Sequence, residues 1–306
     1  MPEPTTPLSI VPSIPIGSWL ETGFEAFKDT FDAVFDVLRD VITAAIDGLA
    51  DLLHAPDPLV LALAFALLAW LVRNWKLGLG TLVGMVLIIG MDMWDPAMDT
   101  LAIVVVATVI ALVVGIPLGI WAARSTTVSR ILKPVMDFLQ TMPGFVWLVP
   151  VVKLFSIGVA GAMVATVIFA LAPAVRLTEL GIRQVDKEVV EAGHAFGAAP
   201  RQILKDVQLP LALPSVMAGV NQVIMLSLSM AVIGGLVGAP GLGSEVIKSL
   251  STLDLALGFD GGISVVILAI FLDRLTASIG TRRPGRGRLR ELRDRFTRTP
   301  ATSAAS

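Results

Sequence analysis

Residues 101–123 carry no charged side chain. A run that long and that apolar settles in hydrocarbon. There every backbone N–H and C=O must pair within its own segment, and a helix of about 20 residues crosses the bilayer core. Comparable runs lie at 59–72, 77–91, 157–175, 211–237 and 262–279, with a broken one at 135–155. They predict about seven spans, the first two short of a full crossing. Composition agrees: 55% of the 306 residues are hydrophobic, 16% are charged, and the mean hydropathy is +0.82. The expected fold class is an all-α polytopic membrane protein, its transmembrane helices preceded by one amphipathic helix.

Side-chain chemistry is narrowed early. There is no cysteine, hence no disulfide, thiolate or Cys-held metal. His54 and His194 are far apart and lack metal-ligand spacing. No nucleophile–base pair appears, so no catalytic residue, no metal and no cofactor bound by this chain is expected.

The chain divides into four parts. Residues 1–17 contain Pro2, Pro4, Pro7, Pro12 and Pro15 and predict a flexible tail. They are Pro- and Thr-rich rather than basic, so no cleavable signal peptide is expected. Residues 18–56 predict a long amphipathic helix. Phe24, Phe27, Phe31, Phe35, Leu38, Ile42 and Ile46 recur at three and four, with Glu21, Glu25, Asp29, Asp32, Asp36 and Asp40 opposite. A helix lying in the membrane interface is the favoured reading, a helix packed on a partner subunit the second. Its acidic face argues against an anionic leaflet. Residues 57–280 form the transmembrane part, and residues 281–306 an Arg-rich tail.

Basic residues set the orientation. Arg73 and Lys76 follow the first span, Arg124, Arg130 and Lys133 the third, a charged stretch the fifth, and the Arg-rich tail the seventh. The alternate loops hold Asp92, Asp95 and Asp99, then Asp254 and Asp260, with Lys248 as their only basic residue. The basic set predicts the cytoplasmic side. The C-terminus is then inside and, with an odd span count, the N-terminus outside. The Arg-rich tail reads as a topology determinant on anionic lipid, and no nucleic acid partner is expected.

The charged stretch, residues 176–210, holds Arg176, Glu179, Arg183, Asp186, Lys187, Glu188, Glu191, Arg201, Lys205 and Asp206. Charges at that density are excluded from hydrocarbon, so it predicts a loop held in water. Within it Val189, Val190, Ala192, Gly193, Phe196 and Gly197 keep helical spacing, a short helix exposed as a handle. Gly197 predicts a turn, and Leu209-Pro210 predicts re-entry into the membrane, with Pro210 in a first helical turn. Gln140-Thr141-Met142-Pro143-Gly144 breaks the fourth span, and a break at membrane depth is tolerated only against protein or a wet cavity. Trp147 reads either as an anchor or as part of a gate. Asn221, Gln222 and Ser229 put polar groups in the sixth span, either for interhelical hydrogen bonds or along a path. The glycines from Gly234 to Gly243 lack the Gly-Lys-Ser/Thr of a phosphate loop and read as an external turn.

Glu191-Ala192-Gly193, three residues, Gly197, nine residues and Val207-Gln208-Leu209-Pro210 resemble the EAA loop of ATP-binding-cassette importer permeases. Gly193 stands for the second Ala and Val207 for Ile. The stretches 139–150, 196–202, 207–212, 217–222 and 267–275 resemble, more narrowly, the permease subunit of glycine betaine/proline betaine importers. The likeness covers roughly residues 101–280. It implies a type I importer fold in the bacterial cytoplasmic membrane. Two copies of the permease would form the path, two cytoplasmic ATP-binding subunits would carry ATP and magnesium, and an extracytoplasmic binding protein would deliver substrate. Glu191, Ala192, Gly193, Phe196, Gly197, Leu209 and Pro210 would couple to the ATPase. Gln140, Thr141, Met142, Pro143, Trp147, Asn221, Gln222 and Ser229 would line the path. Choline or carnitine is the alternative cargo, and an ATP-independent secondary transporter the alternative class.

Overall fold

The computed structural model describes residues 15–280. The Arg-rich tail and the first fourteen residues of the expected Pro-rich tail lie outside the described residues. Helix α1 spans Ile16–His54 in one piece, starting two residues before the expected boundary. Asp57 caps α2 (Pro58–Val72) by accepting from Leu59 N at 2.9 Å, with Pro58 in the first turn, where its missing N–H costs nothing. Asn74 caps α3 (Trp75–Gly90) in the same way through Leu77 N. The α4 helix (Trp94–Arg124) follows, then α5 (Thr126–Thr141), a 3-10 turn (Gly144–Trp147), α6 (Leu148–Phe155) and α7 (Val159–Arg183). Next come α8 (Lys187–Ala195) and a short α9 (Pro200–Gln202), which widens into a π turn (Ile203–Gln208) and runs on as α10 (Leu209–Gly234). α11 (Leu242–Thr252) and α12 (Leu255–Gly280) complete the described chain.

Among the described residues four helices are long and apolar enough to cross a membrane: α4, α7, the continuous Pro200–Val237 helix and α12. The count rises to six if each of two sharply bent pairs makes one span. One pair is α1 with α2, bent by 101°, and the other is α5 with α6, bent by 102°. The expected spans at 59–72 and 77–91 are α2 and α3. At 1.5 Å per residue they reach about 22–24 Å, short of the roughly 30 Å core. The last span begins earlier than expected, at Leu255 rather than 262, because Asp254 accepts from Ala256 N and Leu257 N and starts the helix there.

The centre is α4, α7 and α10. On α4 the small residues Ala107, Ala111, Gly115 and Gly119 recur every four positions, forming a stripe along one face. A Cβ at Gly115 would lie 2.5 Å from Ala174 Cβ, and one at Gly119 would lie 2.6 Å from the Val175 carbonyl. The backbones of α4 and α7 therefore touch, the close approach by which membrane helices associate through packing alone. Gly219 of α10 lies against Leu177 in the same way.

The N-terminal half of α1 leaves Trp19, Leu20, Phe27, Phe31 and Val34 exposed. Its C-terminal half packs on the chain's own bundle. Phe35 meets Phe155 edge-on at 5.4 Å, Ile46 is buried in the core, and His54 Nε2 lies 2.9 Å from Asp99 Oδ1. Neither sequence reading of α1 included this docking onto its own bundle.

Candidate coupling and pathway site

α4 serves as a ruler, because its two ends carry different apparatus. Near its start, Thr100 Oγ1 accepts from Leu242 N at 2.8 Å and holds the Gly-rich turn. Glycines let that turn close: a Cβ at Gly235 would meet Gly243 C at 2.5 Å. The turn is thus a packing joint against α4. At the other end of α4 sit α5, the end of α7, and α8.

The expected aqueous loop at 176–210 is corrected at its front edge. α7 runs on to Arg183, so Arg176, Glu179 and Arg183 occupy successive turns of a packed helix. The reason is a polar network that hydropathy does not reveal. Glu179 is 8% exposed. Its Oε1 accepts from Ser129 Oγ of α5 at 2.6 Å and from Arg183 Nε at 2.8 Å. Arg183 Nη2 donates to the Ala122 carbonyl in the last turn of α4 at 2.7 Å. Arg176 pairs with Asp137 of α5. A buried carboxylate is tolerable when paired and hydrogen-bonded in this way. The network ties α4, α5 and α7 into one block.

The block carries the handle. Asp186 caps α8 by accepting from Glu188 N at 3.0 Å. The helix ends after nine residues in a Schellman motif: Gly197 N donates to His194 O at 2.9 Å and Ala198 N to Gly193 O at 3.1 Å. Gly197 takes φ +79°, the left-handed conformation the motif requires. The turn predicted there is present. Gly193 does not face outward. A Cβ on it would lie 3.2 Å from Ile203 Cγ1, and Ile203 is buried, so the small residue seats α8 on the chain's own π turn. Glu191 and Ala192 are exposed, and Phe196 is 91% exposed. Among the described residues this aromatic ring has no ring partner.

Pro210 stands in the first turn of α10, as expected, but that helix does not start afresh there. Pro210 lies inside the continuous helix that begins at Pro200. Leu209 N donates to Leu204 O, one residue further back than in an α-helix. Pro210 has no N–H to give, and its ring would press on the carbonyl four residues before it. The widened turn absorbs both effects.

The candidate path residues divide. The predicted break is present: α5 ends at Thr141, Pro143 leads into the 3-10 turn, and Trp147 Nε1 donates back to Leu139 O at 3.2 Å. Phe138 meets the Trp147 ring edge-on at 5.7 Å. Trp147 thus staples the bend it belongs to. Thr141 and Pro143 are exposed, and Gln140, Met142 and Trp147 half-buried. Gly144 seats the turn on α10, where a Cβ would lie 2.6 Å from Met230 Sδ. On α10, Gln222 and Ser229 share an exposed stripe with Ala218 and Met225. Asn221 points elsewhere: its Nδ2 donates to Asp273 Oδ1 at 2.6 Å, and Thr276 Oγ1 donates to its Oδ1 at 3.1 Å, joining α10 to α12.

A family model described as the binding-protein-dependent transport system inner membrane component matches residues 115–283. The chain is 45% identical over 277 residues to the glycine betaine/proline betaine transport system permease protein ProW of Escherichia coli (strain K12), covering 90% of this chain and 78% of that one. Over the same length it is 43% identical to the glycine betaine transport system permease protein OpuAB of Bacillus subtilis (strain 168), covering 90% and 98%. It is 44% identical to the glycine betaine/carnitine transport permease protein GbuB of Listeria monocytogenes, covering 87% and 95%. Among solved structures it matches a chain of the MetNI methionine ABC transporter in an inward-facing conformation, with a TM-score of 0.52 and 25% identity, over 60% of this chain and 90% of that one.

Proposed function

The chain belongs to the family of binding-protein-dependent transport system inner membrane components, and on that premise we propose that it forms the path for glycine betaine and proline betaine in an ATP-driven importer. It is a permease subunit, and ATP hydrolysis resides on a separate chain. Two copies would enclose the path, with the α10 stripe of Gln222, Met225 and Ser229 and the bend at 140–147 facing it. Two ATP-binding subunits, holding ATP and magnesium, would grip the handle of Glu191, Ala192, Phe196 and Gly197 from the cytoplasm. A binding protein would deliver substrate at the α1 end, with the N-terminus outside and the C-terminus inside.

The observation that carries this reading is the handle. α8 is capped at both ends, seated through Gly193 on Ile203, and holds the Phe196 ring out, exposed. Joined through the π turn to α10, and lying beside the Glu179 block, it passes displacement to the helices as rigid bodies. Betaine as cargo is supported by what the relatives carry. The permease has no tyrosine and its six tryptophans do not cluster in sequence, so a tight aromatic cage for the quaternary ammonium is expected on the binding protein.

The test is reconstitution of the permease with its ATPase and binding protein in vesicles. Labelled glycine betaine should accumulate only with ATP and with both partners. Uptake driven by an ion gradient alone would favour a secondary transporter. Accumulation of carnitine or choline in place of glycine betaine would change the cargo and leave the architecture standing.

A further inference from the structure

α1 and the broken span leave an open cleft of about 660 Å³ between them. Its lining is mostly apolar: Leu20 and Phe24 of α1, Val146 of the 3-10 turn, and Val149 and Pro150 of α6. Its rim is charged. Lys153 Nζ donates to Glu25 Oε1 at 3.1 Å, both side chains half exposed. Glu21 stands one helical turn before Glu25, and its charge acts on the same ammonium. Two carboxylates therefore face one ammonium, and one carboxylate charge is left unbalanced.

We propose that this cleft binds one phospholipid with an ethanolamine headgroup. The headgroup ammonium meets Glu21, the phosphate meets Lys153, and an acyl chain lies along Leu20, Phe24 and Val149. Charge complementarity selects the occupant. An anionic headgroup would add to the unbalanced negative charge, and a choline headgroup has no N–H to donate to Glu21. The position fits the ligand: α1 turns 101° from α2, so with α2 along the membrane normal α1 lies at headgroup depth. Trp19 and Phe27, exposed beside the cleft, continue its apolar surface into lipid. A lipid held there wedges α1 against the turn that carries Trp147.

The proposal goes beyond the transport reading and fails or stands without it. Dioleoyl phosphatidylethanolamine, phosphatidylglycerol and phosphatidylcholine are titrated into the full-length chain in detergent, and retained lipid is read by native mass spectrometry. The wild type should hold one phosphatidylethanolamine per chain at about tenfold lower concentration than phosphatidylglycerol. Val149→Trp, at a position 74% exposed, should fill the cleft and remove the retained lipid without changing the melting temperature. Should that variant melt early, Leu20→Glu, also at an exposed position, gives the same reading. Glu21→Gln, which leaves Glu25 and Lys153 as a balanced pair, should abolish the preference between the two headgroups. Equal retention of both lipids by the wild type would overturn the proposal, as would retention untouched by filling the cleft. Displacement of the lipid by millimolar glycine betaine would overturn it too, and would give the cleft to a free zwitterion.

Discussion

The hydroxyl of Ser129 donates to Oε1 of Glu179 across 2.6 Å, fastening α5 to α7 at a carboxylate that is 8% exposed. The same oxygen takes the Arg183 Nε proton, and Arg183 reaches on to α4. One buried acceptor thus holds three helices beneath the handle.

Glu179→Gln should lower the stability of the purified chain by about 1–3 kcal/mol. Arg183 loses its charged partner, but it is partly exposed and water repays some of the loss. Ser129→Ala should cost about 1 kcal/mol, since Glu179 keeps the Arg183 bond. The double variant should fall short of the sum, because Ser129→Ala removes, and Glu179→Gln weakens, the same hydrogen bond. Thermal unfolding in detergent reads all three. Full additivity would mean that the two residues act independently.

Phe196→Ala should leave the fold intact, because the ring is 91% exposed and touches little of its own chain. Its effect should appear in assembly: affinity for the ATPase subunit should fall at least tenfold, as expected for an aromatic anchor at an interface centre. Melting of the free permease, compared with capture of the ATPase, separates the two. Unchanged capture would remove Phe196 from the docking surface.

Two glycines of the handle should fail for different reasons. Gly197→Ala should cost roughly 1 kcal/mol of backbone strain at φ +79°, and no neighbouring substitution should relieve it. Gly193→Ala presses a methyl on Ile203, and Ile203→Val should restore part of the loss. Proteolysis of the loop and ATP-driven uptake are the readouts. Rescue of Gly197→Ala by Ile203→Val would contradict the assignment.

Hydropathy reports which segments enter hydrocarbon, and α4, α7, α10 and α12 were legible in the sequence for that reason. The periodicity at Phe24, Phe27, Phe31 and Phe35 located α1 to within two residues at each end. The Gly197 turn was legible because the backbone there admits few other residues. What was not legible depends on partners distant in sequence. Glu179 and Arg183 look aqueous until Ser129 and the Ala122 carbonyl are brought to them. α5 begins at Thr126, where Ser125 accepts from Val128 N; its Leu132, Met136 and Leu139 face packs on α7 while Arg130 and Lys133 are exposed, and a window of average hydropathy loses that face. Gly193 reads as a docking residue until Ile203 is found against it.

Trp147→Phe should slow transport while leaving capture by the binding protein unchanged. The aromatic contact with Phe138 survives the substitution, but the bond from Nε1 to Leu139 O is lost, and that bond closes the bend at Pro143. Trp147→Ala should be slower still. Uptake equal to wild type in both variants would take Trp147 out of the pathway.

Asn221 and Gln222 are neighbours on α10, and their substitution should separate stability from flux. The Asn221 amide is consumed between Asp273 and Thr276. Asn221→Leu leaves the Asp273 carboxylate without its donor inside the helix pair, a loss of about 1–2 kcal/mol and an earlier melt. Gln222 is exposed on the stripe with Met225 and Ser229, where no such bond is at stake. Gln222→Leu should therefore melt with the wild type and change only the rate or selectivity of uptake. An early melt in Gln222→Leu, or transport loss without destabilisation in Asn221→Leu, would reverse the two roles. The α10 face turned to the path would then be the one that now meets α12.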